Sequence, residues 1–518
     1  MKAEDLIDLI GEATDQYIAD AKKAATHRRI KWFSTIAACL IIVLGCTVLL
    51  PHWITPENPK EEAPQESGAG HGEGSVFMSY AGPVFPMTLT EEHAALTAVR
   101  NVGYDFANYG TGGTEEEVWG ENSSSAKIED TYHLVNASQN EVTATAVYPI
   151  AGDFQIRNWP VVTVDGEEIQ WELYAGGYAG FFRGAGDTHS TSLNLDNPTS
   201  WTVYQKLLVD GSYFAEAFTV PDSLNEPVIV YKLSNLHAGT DEYDAATLCM
   251  SFSYNMADTQ IMTWGFNGGG VREDTGEEYR DFFIRDGLRK ADEEVKYLIV
   301  VGDDLDHYTL QGYQDGGCEP GEELPDASAV VIREEMTMES LLREIAQIRY
   351  DALHGNAFDG DHNRYIDDQV SFELFYQAVV RHFAAYGPMG TDPKERYAFG
   401  MLDDIINESA YQERILYITF PVSIPAGGNI DVGVQQFKNA SFDFACTGSE
   451  NVGIDGYDMV TTLGSNLSFT KQTATIENFD GLEIVRQNFG FDLKNGITEV
   501  ELDQREPHYY LEVRKIKE

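Results

Sequence analysis

The sequence predicts a mainly β protein: a β-sandwich-like region that contains a helical insert and follows one N-terminal transmembrane helix. Three observations support this. Short runs of alternating apolar and polar residues recur between Gly, Asn and Pro turns over most of the 518 residues. Residues 335–409 show helical periodicity instead. One run of 19 residues, 32–50, carries no charge and no proline. Alternation with period two is typical of strands, and a period near 3.6 is typical of amphipathic helices.

Residues 32–50 form the predicted membrane span. A helix of 19 residues is ~28 Å long, close to the ~30 Å hydrocarbon core of a bilayer. A buried helix of a soluble protein would normally show a polar face, and this segment shows none. Five Lys or Arg residues lie between positions 22 and 31, while residues 51–56 contain none. The positive flank predicts a cytoplasmic N-terminus and an extracytoplasmic bulk.

Export with cleavage or lipidation is the alternative for this segment. Cys39 and Cys46 both follow lipobox-like residues. Only Trp32–Thr35 precedes the first motif as an apolar run, which is too short for a signal-peptide core. Cys46 has a workable apolar core before it, but the residues after it remain membrane-like. We therefore predict an uncut anchor, in which both cysteines are small apolar residues of the helix.

The net charge of −49 lies entirely outside the N-terminal 31 residues, because that segment holds six acids and six bases. Such a surface repels nucleic acid, so no nucleic-acid partner is expected. Residues 4–25 read as an amphipathic helix that could dock on a partner or lie on the inner leaflet, or serve only as a spacer. Residues 51–75 are an acidic Pro/Gly linker.

The β elements follow from about residue 76. The run VTVDGEEIQWELY places Asp165 and Gly166 between alternating segments, which is a strong two-residue hairpin signal. The run ITFPVSIPAGGNIDVGV places a Gly-Gly turn between two strands, KNGITEVELD repeats an Asn-Gly turn, and HYYLEVRKI ends the chain as a strand. Many short strands of this kind are typical of β-sandwiches.

The helical insert, 335–409, contains three predicted helices. Met338–Leu353 and Phe372–Tyr386 each carry an apolar stripe and stop near glycine. The third opens with Asp392 as its cap and Pro393 in its first turn, and presents Tyr397, Met401 and Ile405 on one face.

A resemblance to a known group adds to this interpretation. The chain has LIGEATDQYIADA, basic residues, KWFSTIAACLIIV, an acidic linker and a β-rich remainder. This order is similar to that of a group of single-pass membrane proteins of Gram-positive bacteria, some of them encoded beside extracytoplasmic sigma factors. YLIVVGDDLDHYTLQGYQDGGC and IVRQNFGFDL also resemble stretches of such proteins. The resemblance implies an envelope-associated, regulatory role and brings no catalytic residues. Thirty-one residues before the span are too few to wrap a sigma factor, which argues against direct anti-sigma activity.

One acidic loop has the spacing of a calcium site. In DGDHNRYIDDQV the candidate oxygen ligands are Asp359, Asp361, Asn363, the Tyr365 carbonyl and Asp367. Arg364 stands where the calcium loop has glycine, and Val370 stands where it has a bidentate acid. An Asp/Asn-rich connector that caps the next helix is the competing interpretation. We predict no obligatory cofactor and keep calcium as the one candidate ion.

Other motifs give weaker evidence of function. Residues 171–187 cluster aromatic rings among glycines, which suits either sugar stacking or core packing. The Ser-x-x-Lys runs at Ser124 and Ser468 lack their companion motifs, and no HExxH, GxSxG or Walker motif occurs. Beyond the span, Cys249, Cys318 and Cys446 are too few for a disulfide framework, and the sequence leaves open whether any two of them pair.

The predicted organisation is cytoplasmic helix 1–31, transmembrane helix 32–50, linker 51–75, β-rich ectodomain 76–334, helical insert 335–409 and C-terminal β-rich region 410–518. We predict a membrane-anchored extracytoplasmic protein of the cell envelope that binds or senses a protein or glycan ligand without catalysis. The alternative is an anchored cell-wall or glycan hydrolase, because paired carboxylates cannot be located from spacing alone.

Overall fold

The computed structural model describes fourteen stretches of the chain, all within its second unit, Ala69–Glu518. They are residues 82–107, 109, 125–155, 158–178, 217–218, 224–240, 242–272, 275–284, 295–354, 366–390, 400–411, 414–440, 442–443 and 453–516. This part is mainly β, with five sheets and three α-helices, as the sequence predicts.

Strands make up most of the described elements. Before the helices they are β1 (Thr88–Leu89), β2 (Leu96–Asp105), β3 (Ala126–Asn136), β4 (Val142–Gly152), β5 (Val161–Val164), β6 (Glu167–Glu168), β7 (Glu172–Tyr178), β8 (Pro227–His237), β9 (Thr247–Ser253), β10 (Thr259–Trp264), β11 (Gly268–Val271), β12 (Glu278–Phe283), β13 (Lys296–Gly302), β14 (His307–Tyr313), β15 (Glu323–Leu324) and β16 (Ser328–Thr337). The helices are α1 (Met338–His354), α2 (Phe372–Tyr386) and α3 (Leu402–Tyr411). After them come β17 (Arg414–Ile424), β18 (Asn429–Lys438), β19 (Phe442–Asp443), β20 (Ile454–Val460), β21 (Ser468–Glu477), β22 (Leu482–Gln487), β23 (Glu499–Glu501) and β24 (His508–Lys515).

These strands form five sheets. Sheet I has the order β1-β4-β17-β7, sheet II β23-β21-β2-β3-β18-β5-β6, sheet III β10-β13-β8-β16, sheet IV β11-β12-β9-β14-β15 and sheet V β19-β20-β24-β22. Pairing between these strands is antiparallel except for β2 with β21, which run parallel. Since β2 and β21 are separated by more than 360 residues of chain, sheet II joins the two ends of the described region.

The sheets share buried cores. Leu248 and Phe252 of sheet IV lie in one core with Leu298 and Val300 of sheet III. Sheets II and V share a second core, and sheets I, II and III contribute with the helices to the largest one. Because successive strand residues point to opposite faces, each shared core uses alternate positions of its strands.

The predicted helices agree closely with α1 and α2. Their apolar stripes, Leu341 and Ile345 on α1 and Phe375 and Val379 on α2, are fully buried in the largest core. Ser371 caps α2, since its side chain accepts a hydrogen bond from the backbone N–H of Leu374 at 3.2 Å. Periodicity therefore located these two helices correctly.

The third predicted helix needs correction at its described end. Gly400 has φ +68°, which is not a helical conformation, and α3 begins only at Leu402. Met401, predicted on the same helical face as Ile405, instead forms a bridge with Thr263 of β10. The predicted start at Asp392 and the residue Tyr397 lie outside the described residues.

Two predicted turns are present. Asp165 (φ +52°) and Gly166 (φ +81°) connect β5 to β6, which is the left-handed pair that an Asp-Gly hairpin turn requires. Gly427 (φ +62°) lies in the turn between β17 and β18. Among the described helices none is both long and apolar enough to cross a membrane, and the predicted span 32–50 lies outside the described residues.

Candidate functional site

The outer face of sheet IV carries the densest set of reactive side chains in the described structure. Leu248, Met250 and Phe252 of β9 point into the core with sheet III, so Cys249, Ser251 and Ser253 point the other way. Cross-strand partners extend this outer face. Asp281 and Gln311 flank Cys249, Tyr279 and Thr309 flank Ser251, and His307 pairs with Ser253.

Arg272 lies across this outer face, just after β11. Its Nε donates to Ser251 Oγ at 3.0 Å, and its Nη2 approaches Tyr313 Oη at 3.1 Å and Cys249 Sγ at 3.4 Å. The guanidinium carbon lies 5.2 Å from the ring centre of Tyr279 and 5.7 Å from that of Tyr313. Among the described residues, no carboxylate forms an ion pair with Arg272, whose guanidinium instead contacts the Tyr313 hydroxyl and the Cys249 thiol.

The hairpin loop between β14 and β15 folds back onto the same face. Gln314 N–H donates to the Glu322 carbonyl and closes the base of the loop. A Cβ placed on Gly316 would lie 3.4 Å from the Phe283 ring, so the loop lies against β12. Its Cys318, with φ +49°, packs with Cys249 and Tyr313 in a small buried cluster. Both thiols are free.

Asp281 is the buried carboxyl of this face. Its side chain lies over Gly268, where a Cβ would come within 3.0 Å of Oδ2. Burial raises the pKa of Asp281 to about 6, while Arg280 acts in the opposite direction. A carboxyl that titrates near neutral pH beside a cysteine and an arginine is a recognised mark of functional sites.

A hydroxyl–imidazole–carboxylate chain lies at the end of the same face. Ser253 Oγ is 2.9 Å from His307 Nδ1, and His307 Nε2 is 2.5 Å from Glu277 Oε1. Thr275 Oγ1 also donates to Glu277, at 3.3 Å. The order of groups matches that of a Ser-His-acid triad, although the roles of the two ring nitrogens are exchanged. His307 is 55% exposed, so the chain is open to solvent.

A second polar surface lies on sheet II. Asn101, Thr131, His133, Thr163 and Asp431 line a shallow depression of about 350 Å³. His133 Nδ1 lies 2.7 Å from Asp431 Oδ1, with the two side chains 44% and 73% exposed. Solvent screens such an exposed pair strongly. We therefore rank this depression below the outer face of sheet IV, where the thiols and Asp281 are buried.

The calcium candidates are mostly outside the described residues. This holds for Asp359, Asp361, Asn363 and Tyr365, and only Asp367 is described. Its Oδ2 accepts a hydrogen bond from Trp159 Nε1 at 2.7 Å, and its Oδ1 accepts one from the backbone of Gln369 at 2.9 Å. Within the described stretches no group of three or more His, Cys, Asp or Glu residues is placed to hold a metal ion.

The aromatic stretch 171–187 is described only in part. Trp171 packs against the largest core, lies 5.9 Å from the ring of Trp159 and donates to the Pro160 carbonyl at 3.2 Å. Tyr174 packs against Phe218 at 4.9 Å. These two rings are used in packing. Phe181 and Phe182 lie outside the described residues.

Sequence reasoning missed the sheet IV site. Cys249 and Asp281 lie on two strands, Arg272 follows a third strand and Cys318 lies in a hairpin loop, and no local motif links them. The usable signal was weak: cysteine is rare in this chain, and Cys318 follows a Gly-Gly pair in a loop. Cys446, the third cysteine beyond the predicted span, lies outside the described residues.

Comparison with known proteins does not assign a function to this site. No protein-family model matches the chain, and no curated protein matches it significantly. The function must therefore be argued from the residues themselves.

Proposed function

We propose that the chain is a membrane-anchored extracytoplasmic protein of the cell envelope that binds or senses a ligand through the outer face of sheet IV. The proposal joins two parts. The apolar run 32–50 with its basic N-terminal flank supports the anchor and its orientation. The polar face of sheet IV supplies the binding surface, and a regulatory role is what the resemblance to sigma-factor-associated proteins implies.

One observation carries the choice of surface. The two faces of sheet IV are unequal: one is apolar and shares a core with sheet III, whereas the other gathers cysteine, arginine, histidine, tyrosine and acid side chains. A sheet needs only one buried apolar face to be stable. The second face is therefore free to carry chemistry. Phe283, 42% exposed on this face, adds an accessible aromatic ring.

The finer architecture belongs to the same proposal. Sheets III and IV share a core, as do sheets II and V, and this supports a β-sandwich-like ectodomain in which loops and outer faces are available to partners.

The anchor is tested by fractionation and protease protection. Protease added outside intact cells should digest the bulk of the chain and spare a fragment of about the first 50 residues. Cys46→Ala should leave both size and membrane retention unchanged, because no lipid is attached there. Release of the full chain by high salt alone would refute the anchor.

The binding surface is tested with insoluble cell-wall glycan as the probe, because an exposed ring beside charged and hydroxyl groups can both stack and hydrogen-bond. Full-length protein should sediment with the glycan, and Phe283→Ala should weaken this. Tyr308→Ala is the matched control: Tyr308 is 39% exposed on the same sheet, but it packs against Tyr231 of sheet III. An equal loss in both variants would refute the assignment to this face.

A second candidate function, an anchored cell-wall hydrolase, is favoured by the Ser253–His307–Glu277 chain. A carboxylate that orients a histidine beside a hydroxyl is the arrangement that activates serine for acyl transfer. p-Nitrophenyl acetate is a suitable probe. Hydrolysis by the full-length chain that is lost in Ser253→Ala and retained in Ser423→Ala, an exposed serine of sheet I, would establish this activity. Equal rates in the two variants would exclude it.

A further inference from the structure

The two described cysteines form a pair whose surroundings differ from those of ordinary core thiols. Cys249 lies on the central strand of sheet IV and Cys318 in the β14–β15 loop, and they are buried, with 0% and 4% exposure. Cys318 packs with Cys249 in one buried cluster, while Arg272 Nη2 lies 3.4 Å from Cys249 Sγ. Thus Cys249 has a cationic donor beside it, and its neighbour is a second thiol.

We propose that Cys249 and Cys318 form a hydroperoxide-sensing thiol pair, in which Cys249 is the attacking sulfur, Cys318 is the resolving sulfur, and Arg272 is the positioning residue whose charge favours the thiolate form of Cys249. The burial of both thiols restricts the oxidant to a small molecule. Only a molecule such as hydrogen peroxide or a short organic hydroperoxide can reach thiols that are this deeply covered by the loop. The inference is independent of the proposed ligand binding, since it concerns the state of the sulfurs alone.

The reaction has two balanced steps. The Cys249 thiolate attacks one peroxide oxygen, an S–O bond forms, the O–O bond breaks, and the departing oxygen takes a proton as water or alcohol. Cys249 is then a sulfenic acid. The Cys318 sulfur attacks the Cys249 sulfur, the S–O bond breaks, and water leaves with the Cys318 proton. The two thiols have lost two electrons in total, and the peroxide has gained them.

Electrostatics support the division of roles. The hydrogen bond from Cys318 lowers the pKa of Cys249, with burial acting against this and the charge of Arg272 assisting it. The same hydrogen bond, together with burial, raises the pKa of Cys318. The other groups that face the pair are Tyr279, Tyr313 and Asp281, and a negative Asp281 opposes the thiolate. A low-pKa thiol beside a resolving thiol is the arrangement found in redox-responsive sites.

The test uses the full-length chain, in detergent if it is membrane-bound. Protein is reduced, treated with hydrogen peroxide, alkylated, digested and analysed by mass spectrometry. We expect a peptide pair linked through Cys249 and Cys318 that disappears after treatment with dithiothreitol. In Cys318→Ala, dimedone should label Cys249 as a trapped sulfenic acid. Cys446→Ala is the control and should retain the linked pair.

The role of Arg272 is tested by measuring the rate at which hydrogen peroxide oxidises Cys249. Arg272→Gln should slow oxidation, because loss of the guanidinium charge raises the pKa of Cys249 and lowers its thiolate fraction. Raising the pH should restore the rate, which a merely structural role for Arg272 would not do. Arg280→Gln is the matched control, since Arg280 pairs with Glu278. Full alkylation of Cys249 and Cys318 after peroxide treatment, or a link from either one to Cys446, would overturn the proposal.

Discussion

Asp130→Asn should destabilise the protein strongly, because among the described residues Asp130 is the only carboxylate that pairs with the fully buried Arg100. The pair joins β2 to β3 in sheet II. Arg100 Nε donates to Asp130 Oδ1 at 2.9 Å and Arg100 Nη2 to Oδ2 at 2.8 Å, and both side chains are 0% exposed. Tyr132 and Tyr148 donate to the same carboxylate at 2.8 and 3.1 Å.

The remaining Arg100 contacts make the guanidinium hard to replace. Its Nη1 donates to the Val460 carbonyl at 2.7 Å and its Nη2 to the Phe85 carbonyl at 3.1 Å, so it also ties sheet II to the segments at β20 and before β1. Burial lowers the pKa of Arg100, but the charge of Asp130, its hydrogen bond and the charges of Tyr132 and Tyr148 together more than offset this, and the net direction is upward. The arginine stays charged when Asp130 is neutralised, because a guanidinium is effectively always protonated in proteins.

The expected magnitude follows from the loss of one partner in a buried ion pair, which costs about 3–5 kcal/mol. Asparagine keeps the volume and one acceptor oxygen, so the lower end of that range applies. For a chain of 518 residues this corresponds to a fall in Tm of about 3 °C in a thermal unfolding scan of the full-length chain followed by circular dichroism. Glu129→Gln is the matched control on the same strand. Glu129 pairs with Lys127 at 3.0 Å, with side chains 53% and 29% exposed, and its loss should cost less than about 1 kcal/mol. Equal shifts in Tm for the two variants would refute the reasoning.

Three further predictions concern single groups. Asp281→Asn should reduce the fall in the free energy of unfolding that accompanies a rise in pH from 4 to 6. Its folded pKa of about 6 lies above the unfolded value, so its ionisation favours unfolding, and the variant should gain about 1–2 kcal/mol at pH 7 after allowance for solvent screening. Ser371→Ala should cost about 1 kcal/mol in denaturant unfolding through loss of the α2 cap, and an unchanged midpoint would contradict this. Millimolar calcium should leave Tm unchanged. At calcium ten times above Kd, a bound ion would raise the free energy of unfolding by about 1.4 kcal/mol. A corresponding rise in Tm that is absent in Asp361→Ala would instead establish the calcium site.

The parts of the fold that could be predicted are the local ones. α1 and α2 were predictable because a helix buries side chains three and four positions apart, and the Asp165–Gly166 turn was predictable because few residue pairs adopt two successive left-handed conformations. The third helix was wrong only where it was predicted to include Met401, because the apolar stripe continues across Gly400, whose left-handed backbone accompanies its contact with β10. The pairing of strands into sheets could not be predicted either. β3 and β4 follow each other along the chain, yet they belong to sheets II and I.

The candidate site could not be predicted for the same reason, because its residues are far apart in the sequence. Cys249 and Cys318 are 69 positions apart, and nothing in either local sequence marks the other as its partner. They meet because β9 lies between β12 and β14 in sheet IV, and because the loop after β14 turns back over that sheet. If the two sulfurs join, the bond fixes this loop on β9 across a chain segment long enough to stabilise the folded state by about 4 kcal/mol in the chain-entropy model. Oxidation would then change the mobility of the loop that lies beside Phe283. A redox change at the thiols and ligand binding on the outer face would thus be coupled through one hairpin, and measuring glycan sedimentation with reduced and with peroxide-treated protein would test that coupling.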